Sequence, residues 1–292
     1  MTTVLVTGGN GQLAQCIKSI SNDYPSLDFV FLGSNDLDIS NTEEVQSHFT
    51  KNNFDYCINC AAYTAVDKAE EAPELAKKVN VIGVKNLAIA CKNNNVILIH
   101  ISTDFVFDGE AKTPYSEVDT TNPISVYGQT KRDGELEITS NLRQHFIIRT
   151  SWLYSEFAGN FVKTMLRLAK EKDELSVVDD QTGSPTYAKD LAKVILKIIK
   201  NQHNQYGIYH YSNQGEITWY DFAKEIFKQS KADINLYKTD SKRFKTLAKR
   251  PKNSVLDSTK IHTLLNLEPV KWQKSLEKCL KIINKQLNNV QH

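Results

Sequence analysis

The 292-residue sequence predicts an α/β protein built on a doubly wound parallel sheet, with a smaller C-terminal lobe. Short apolar runs recur through the first half, at 3–6, 29–32, 56–59, 96–101 and 146–149. They are continuous rather than alternating, as strands buried on both faces must be. Helical patterns separate them, and that alternation calls for parallel strands joined by right-handed crossovers.

Taken in order, the first run leads at once into Gly8, Gly9 and Gly11 and then into a helix pattern. Ser40 followed three residues later by Glu43 reads as a capping box opening the second helix. Pro73 stands where a long third helix over 74–92 should begin, a position that suits a residue without an N–H. Beyond Thr150 the pattern is less regular. Helices are expected near 160–172, 187–200, 218–230 and 274–288, with strands near 175–178 and 209–211. Glu43-Glu44 and Glu70-Glu71 read as exposed helix charge, and the seven scattered histidines as structural or solvated.

Composition excludes several classes of function. With 36 basic and 34 acidic residues the net charge is +2, so no molecule-wide field draws nucleic acid or a membrane. The longest apolar runs, such as 96–99, are far too short to span a bilayer. Residues 1–6 carry no charged leader, and five scattered cysteines suit a reducing compartment, so a cytoplasmic location is expected. Cys57 and Cys60 form a C-x-x-C, but three residues apart on a strand they face opposite ways. Core packing is therefore expected over redox chemistry or zinc. The basic residues thickening over 238–252 fit either a solvated face or a mouth that attracts a diphosphate.

Two motifs carry chemistry. A strand followed by glycines and a helix lets the backbone approach a pyrophosphate while helix N–H groups face its charge. The expected second-strand acid that would bond a ribose 2′-hydroxyl is missing from Phe31-Leu32-Gly33-Ser34-Asn35, and no Arg or Lys occupies 29–40. NADPH is the expected cofactor, with NADH also usable. Downstream, Tyr127 and Lys131 form a Y-x-x-x-K, which places a phenol and an ammonium on one helix face. The ammonium should lower the phenol's pKa; three units would take about 4 kcal/mol. Thr103, closing the fourth strand in His100-Ile101-Ser102-Thr103-Asp104, can donate to the oxygen that Tyr127 protonates.

With these motifs in this order the chain resembles the extended short-chain dehydrogenase/reductase superfamily, and within it the dTDP-4-dehydrorhamnose reductase family. The resemblance also runs through Asp38-Ile39, 61–70, 102–109, 149–152, 160–162, 179–186 and 250–257. It implies a Rossmann-type NAD(P)-binding domain over 1–150. Residues 151–292 would form mainly a substrate-binding lobe, partly interleaved with the sheet. Thr103, Tyr127 and Lys131 would be catalytic. Gly8, Asn10, Gly11, Gln12, Leu13, Asp38, Ile39, Ala61, Ala62, Tyr63, Thr64 and Lys131 would bind the cofactor. Thr103, Asp104, Tyr127, Trp152, Asn160 and Arg250 would hold a nucleotide-linked 4-keto-6-deoxyhexose.

The chain also departs from the family pattern. Ala14 stands in place of a frequent third glycine, Cys60 in place of an alanine and Phe105 in place of a tyrosine. Family members can hold Mg²⁺ through acids near the C-terminus. This chain ends in 288–292 without any, so no metal is expected. Two other readings share the same residues: an epimerase or reductase of another nucleotide 4-ketosugar, and a non-catalytic NADP-binding subunit like the β subunit of methionine adenosyltransferase. A homodimer is the assembly considered.

Overall fold

The computed structural model describes residues 1–290, with side chains through Gln286. Six parallel strands form the central sheet: β1 (Thr2–Thr7), β2 (Leu27–Leu32), β3 (Tyr56–Asn59), β4 (Ile97–Thr103), β5 (His145–Thr150) and β10 (Gly207–His210). Their order is β2-β1-β3-β4-β5-β10. The chain goes from β1 to one side and then returns to the other, so the crevice between β1 and β3 is where such sheets take ligands. Short strands lie between and after: β6 (Leu153–Tyr154), β7 (Glu174–Val178), β8 (Thr182–Gly183), β9 (Thr186–Tyr187), β11 (Ile217–Thr218) and β12 (Asn235–Thr239).

Helices cover both faces of the sheet. On one side α1 (Gln12–Ile20) and α8 (Ala188–Lys200) bury Val4, Val6, Ile58, Ile99 and Ile148. On the other, α2 (Thr42–Lys51), α5 (Val84–Asn93) and α6 (Val126–Asn141) bury Leu5, Cys57, Leu98 and Ile147. Adjacent residues thus go to opposite cores, which is why the strands read as unbroken apolar runs. All five cysteines are free, and Cys57 and Cys60 lie against opposite faces, as expected.

A third core fills the lobe. There α7 (Phe161–Glu171), α9 (Trp219–Ser230) and α11 (Trp272–Val290) gather Met165, Phe222, Ile226 and Trp272. Parallel pairing of β12 with β7 and the short α10 (Thr259–Leu265) were not anticipated. Strand β10 belongs to the main sheet, paired with β5, although it follows the lobe's first elements in sequence.

Two helix starts differ from expectation. The cap of α2 is Asn41, whose side chain accepts from the N–H groups of Glu43 and Glu44. Ser40 instead donates to Asp38, so the predicted Ser40–Glu43 capping box does not form. Both residues are good caps, and Asn41 is the one that faces the free donors. Residues 66–93 are not one helix from Pro73 onward. An extra helix, α3 (Val66–Glu71), precedes α4 (Pro73–Lys77), and Ala72 between them leaves helical geometry as a residue before proline must. A π-helical stretch, Lys78–Gly83, then joins α4 to α5. Among the described residues no helix is long and apolar enough to cross a membrane. The expectation about metal rests on 288–292, whose side chains lie outside the described residues.

Candidate active site

The loops at the carboxyl ends of β1 and β3 meet face to face. Gly8 adopts φ +63°, and a Cβ there would lie 2.7 Å from the Ala61 nitrogen, so only glycine permits the contact. The turn closes by Gly11 N–H donating to the Gly8 carbonyl at 2.8 Å. Gly11 offers α1 no side-chain cap. First-turn N–H groups, those of Gln12 and Leu13 included, are left for an acceptor from outside the chain. Gln12 is itself clamped across the molecule: Nε2 donates to the Leu153 carbonyl at 3.1 Å, and Oε1 accepts from the Ser155 hydroxyl at 3.1 Å. Exposed Asn10 lies against Gly33 at the end of β2. A glycine corner beside an uncapped helix start fits a dinucleotide pyrophosphate.

The loop after β3 is held from below. Asn80, buried in the π-helical stretch, accepts from Tyr63 N–H at 2.9 Å and donates to the Tyr63 carbonyl at 3.1 Å. It also donates to the Thr130 hydroxyl on α6 at 3.1 Å. This fixes Ala62, Tyr63 and Thr64 beside the glycine corner. Ala61 donates its N–H to Asn59 at 3.1 Å. Asp38 accepts twice from Ser40 and faces Lys78 at 3.6 Å, contacts that hold its carboxyl below the usual range. Ile39 is a core residue, 4 % exposed.

Tyr127 and Lys131 lie one turn apart near the start of α6. Ser125 caps that helix by accepting from Gly128 N–H at 3.2 Å. Glu70 takes the Val126 N–H at 2.8 Å, so it is a tether rather than the free surface charge expected. A Cβ on Gly128 would collide with the Phe105 carbonyl, so the helix lies flat against the turn after β4. In that turn Thr103 accepts from Phe105 N–H and donates to Asp104 Oδ1 at 2.9 Å. Asp104 is 2 % exposed, and its Oδ2 has no partner among the described residues. The Phe105 ring meets the Tyr127 ring edge-on at 5.6 Å.

From Phe105 and Ser254 a cleft of about 400 Å³ opens between sheet and lobe. Its walls include Trp152, Phe161, Met165 and Trp219. Trp152 sits at φ +47°, and its indole stacks on Trp219 at 3.6 Å. Arg250 lines the rim and grips both oxygens of Asp67 at 3.2 and 2.6 Å. Of the basic residues over 238–252, Lys238 pairs with Asp179 outside the cleft, whereas Arg250 faces into it. Asn160, expected on the substrate, is committed elsewhere: it caps α7 and donates to the Ser155 and Phe157 carbonyls.

The model of the RmlD substrate binding domain family matches residues 1–285. The chain belongs to this family. A dTDP-4-dehydrorhamnose reductase from Aggregatibacter actinomycetemcomitans is 41% identical over 289 residues, covering 95% of this chain and 98% of that protein. The crystal structure of a Clostridium acetobutylicum dTDP-4-dehydrorhamnose reductase superposes with a TM-score of 0.93 at 42% identity, over 97% of this chain and 100% of that one. The Bacillus anthracis dTDP-4-dehydrorhamnose reductase, solved in complex with NADP, gives 0.92 at 39%, over 96% and 99%.

In this member of the RmlD family the electrostatics correct one expectation. Tyr127 is not lowered by Lys131. Burial pushes the phenol up to about 12, and the Thr103 hydroxyl draws it only part of the way back. Lys131 is lowered to about 8, again by burial. Its Nζ donates to the Ile101 carbonyl at 2.6 Å and lies 3.2 Å from His100 Nε2. Sequence reasoning took His100 for an isolated residue, yet it touches the site's lysine. Asp104 is raised to about 6 by burial, which outweighs the opposing pull of the nearby Ser254 and Thr103 hydroxyls. Asn59, Asp67, Asn80 and Trp219 were missed altogether. The one available signal was an asparagine, Asn59, ending an otherwise apolar strand.

Proposed function

We propose that this protein catalyses the NADPH-dependent reduction of the C4 keto group of dTDP-4-dehydro-L-rhamnose, giving dTDP-L-rhamnose, in the cytoplasm. One arrangement carries the reading: Tyr127 and Lys131, one turn apart on α6, face the Thr103 hydroxyl and Cys60 next to the uncapped glycine corner, and an aromatic cleft opens from the adjoining Phe105. Family membership and the NADP complex of the Bacillus anthracis relative support it.

Residues 1–150 would provide the dinucleotide platform and 151–292 most of the sugar-nucleotide site. The first-turn N–H groups of α1 receive the pyrophosphate, and Ala61, Ala62, Tyr63 and Thr64 line the bound dinucleotide. Bound NADPH supplies the hydride that reaches sugar C4. A phenol held near 12 is protonated throughout the working range, so Tyr127 serves as an acid and gives its hydroxyl proton to the new alkoxide. Thr103 now donates to Asp104; sugar binding redirects that proton to the keto oxygen. Asp104, freed on that side, accepts from a sugar hydroxyl. Trp152 and Trp219 form the flat apolar wall on which sugar or base rests, and Arg250 offers the anionic nucleotide a cation.

The test is consumption of NADPH by the purified protein with dTDP-4-dehydro-L-rhamnose, alongside other nucleotide 4-ketosugars. Turnover with the first supports the reading, and preference for another sugar reassigns the substrate. Inertness combined with tight NADP binding would instead support a non-catalytic regulatory subunit. Sedimentation equilibrium decides whether the chain is a homodimer.

A further inference from the structure

Thr7, Asn59 and His100 are direct register neighbours across β1, β3 and β4. They point to the face covered by α5 and α6, and they are 1 %, 1 % and 0 % exposed. Three polar side chains in a row inside an apolar sheet persist only if each bond is made.

The bonds have a direction that can be read. Thr7 Oγ1 donates to Asn59 Oδ1 at 2.7 Å, and the Ala61 backbone N–H donates to the same atom at 3.1 Å. A backbone N–H can only donate, so that end of the carboxamide is oxygen and the other is NH₂. The NH₂ faces His100 Nδ1 at 3.0 Å, which therefore accepts. A neutral imidazole that accepts at Nδ1 carries its proton on Nε2. That N–H points at Lys131 Nζ, 3.2 Å away. An ammonium there would set N–H against N–H, whereas a neutral amine supplies the lone pair and still donates to Ile101.

We propose that the Thr7–Asn59–His100 row positions Lys131 by favouring its neutral, hydrogen-bond-accepting amine in the cofactor-free protein, so that at alkaline pH dinucleotide binding is accompanied by uptake of a proton at Lys131. The uptake arm rests on the cofactor assignment made above; the row itself does not. His100 and Asn59 are positioning residues that act through the lysine.

The surroundings agree. Burial lowers Lys131 to about 8 and drives His100 well below its ordinary value, which closes the escape of an imidazolium. Three groups face the amine: His100 from β4, Glu135 one turn later on α6, and Cys60 after β3. Glu135 and Cys60 would favour the ammonium. Glu135, however, is matched by Arg149 at 2.9 and 2.7 Å and bonded by Ser102, so little of its charge is left for the lysine. A ribose hydroxyl from a bound dinucleotide gives Nζ an acceptor oxygen and so raises its affinity for a proton. Uptake then occurs above about pH 8, where the free protein's amine is neutral, and vanishes below that, where it is already charged.

Calorimetry of NADP⁺ binding in two buffers of different ionisation enthalpy measures the protons taken up. We expect about 0.9 at pH 9 and about 0.1 at pH 7, for one group titrating near 8. Asn59→Asp reverses the row: its carboxylate still accepts from Thr7 and Ala61 but now also accepts from Nδ1–H, leaving Nε2 to accept from an ammonium. Uptake at pH 9 should then fall at least threefold. Long-range ¹H–¹⁵N spectra of the cofactor-free protein at pH 9 should show His100 protonated on Nε2, a reading that needs neither variant nor ligand. Wild-type uptake below about 0.3 at pH 9, unchanged uptake in Asn59→Asp, or a Nδ1-protonated His100 overturns the proposal. If no binding isotherm is seen, the cofactor assignment fails and the spectra alone decide the row.

Discussion

The polar floor at the end of β4 and the aromatic wall of the neighbouring cleft are built by opposite means. On the floor, Thr103, Asp104 and Lys131 are buried and Tyr127 is half-buried at the ends of regular elements, with Thr103 donating to Asp104 and Lys131 to the Ile101 carbonyl. On the wall, Trp152, Trp219, Phe161 and Met165 are apolar, carried by loops and helix faces of the lobe, with one ion pair at the rim. A low-dielectric floor moves protonation equilibria, as the raised Tyr127 and Asp104 and the lowered Lys131 show. A wall of stacked rings supplies area and shape instead. On the proposed function, chemistry falls to the first region and recognition to the second.

If that division holds, Tyr127→Phe should lower kcat by about 10² to 10⁴, the range of general-acid effects, with cofactor affinity nearly unchanged. Rates of NADPH oxidation beside a fluorescence titration check this; a full-rate variant removes the phenol from the chemistry. Asp104 comes next, through stability. Its carboxyl is raised from 3.8 to about 6, so the folded chain holds that proton more tightly than the unfolded chain does. The resulting contribution is fully present below about pH 4 and is lost as pH rises through 6, a loss of up to about 3 kcal/mol by neutrality. Denaturation of Asp104→Asn across pH should show it gaining on the wild type from pH 4 to 7, and parallel curves would contradict the burial argument.

The wall should respond differently. Arg250→Ala is expected to raise the substrate KM about tenfold with less than a threefold fall in kcat, since it removes binding rather than proton transfer. A collapse in kcat with KM unchanged would erase the division. Trp219→Leu is the mildest change. Loss of the ring pair, about 0.5–1.5 kcal/mol, should raise KM a few-fold and leave the pH profile of kcat where it was.

The same contrast explains what the sequence could disclose. Strands β1 to β5 were legible because burial on both faces leaves an unbroken apolar run. The glycine corner and the Tyr127/Lys131 pair were legible because each is a short local spacing with one geometric meaning. Asn41 was overlooked because Ser40 beside it is as good a cap, and only the turn's direction chooses between them. Asn80 was hidden in a π-helical stretch, which breaks the 3.6-residue period on which helix reading depends. Long-range pairs leave no local trace: Arg250 meets Asp67 from 183 residues away, and His100 meets Asn59 from 41. The edge pair of β12 and β7 was missed on one side because its Asn-Leu-Tyr-Lys-Thr strand is largely exposed and lacks the buried pattern.

The return of β10 and α8 to the main sheet has a consequence for how the chain can be divided. Ile195 and Ile198 of α8 belong to the same core as Val4 and Ile148, and β10 occupies the free side of β5. A polypeptide stopped at Thr150 would lay bare one apolar side of the sheet and the hydrogen-bonding rim of β5, an open template for self-association. Such a fragment should come out of expression as insoluble aggregate, and limited proteolysis of the whole protein should not release it intact.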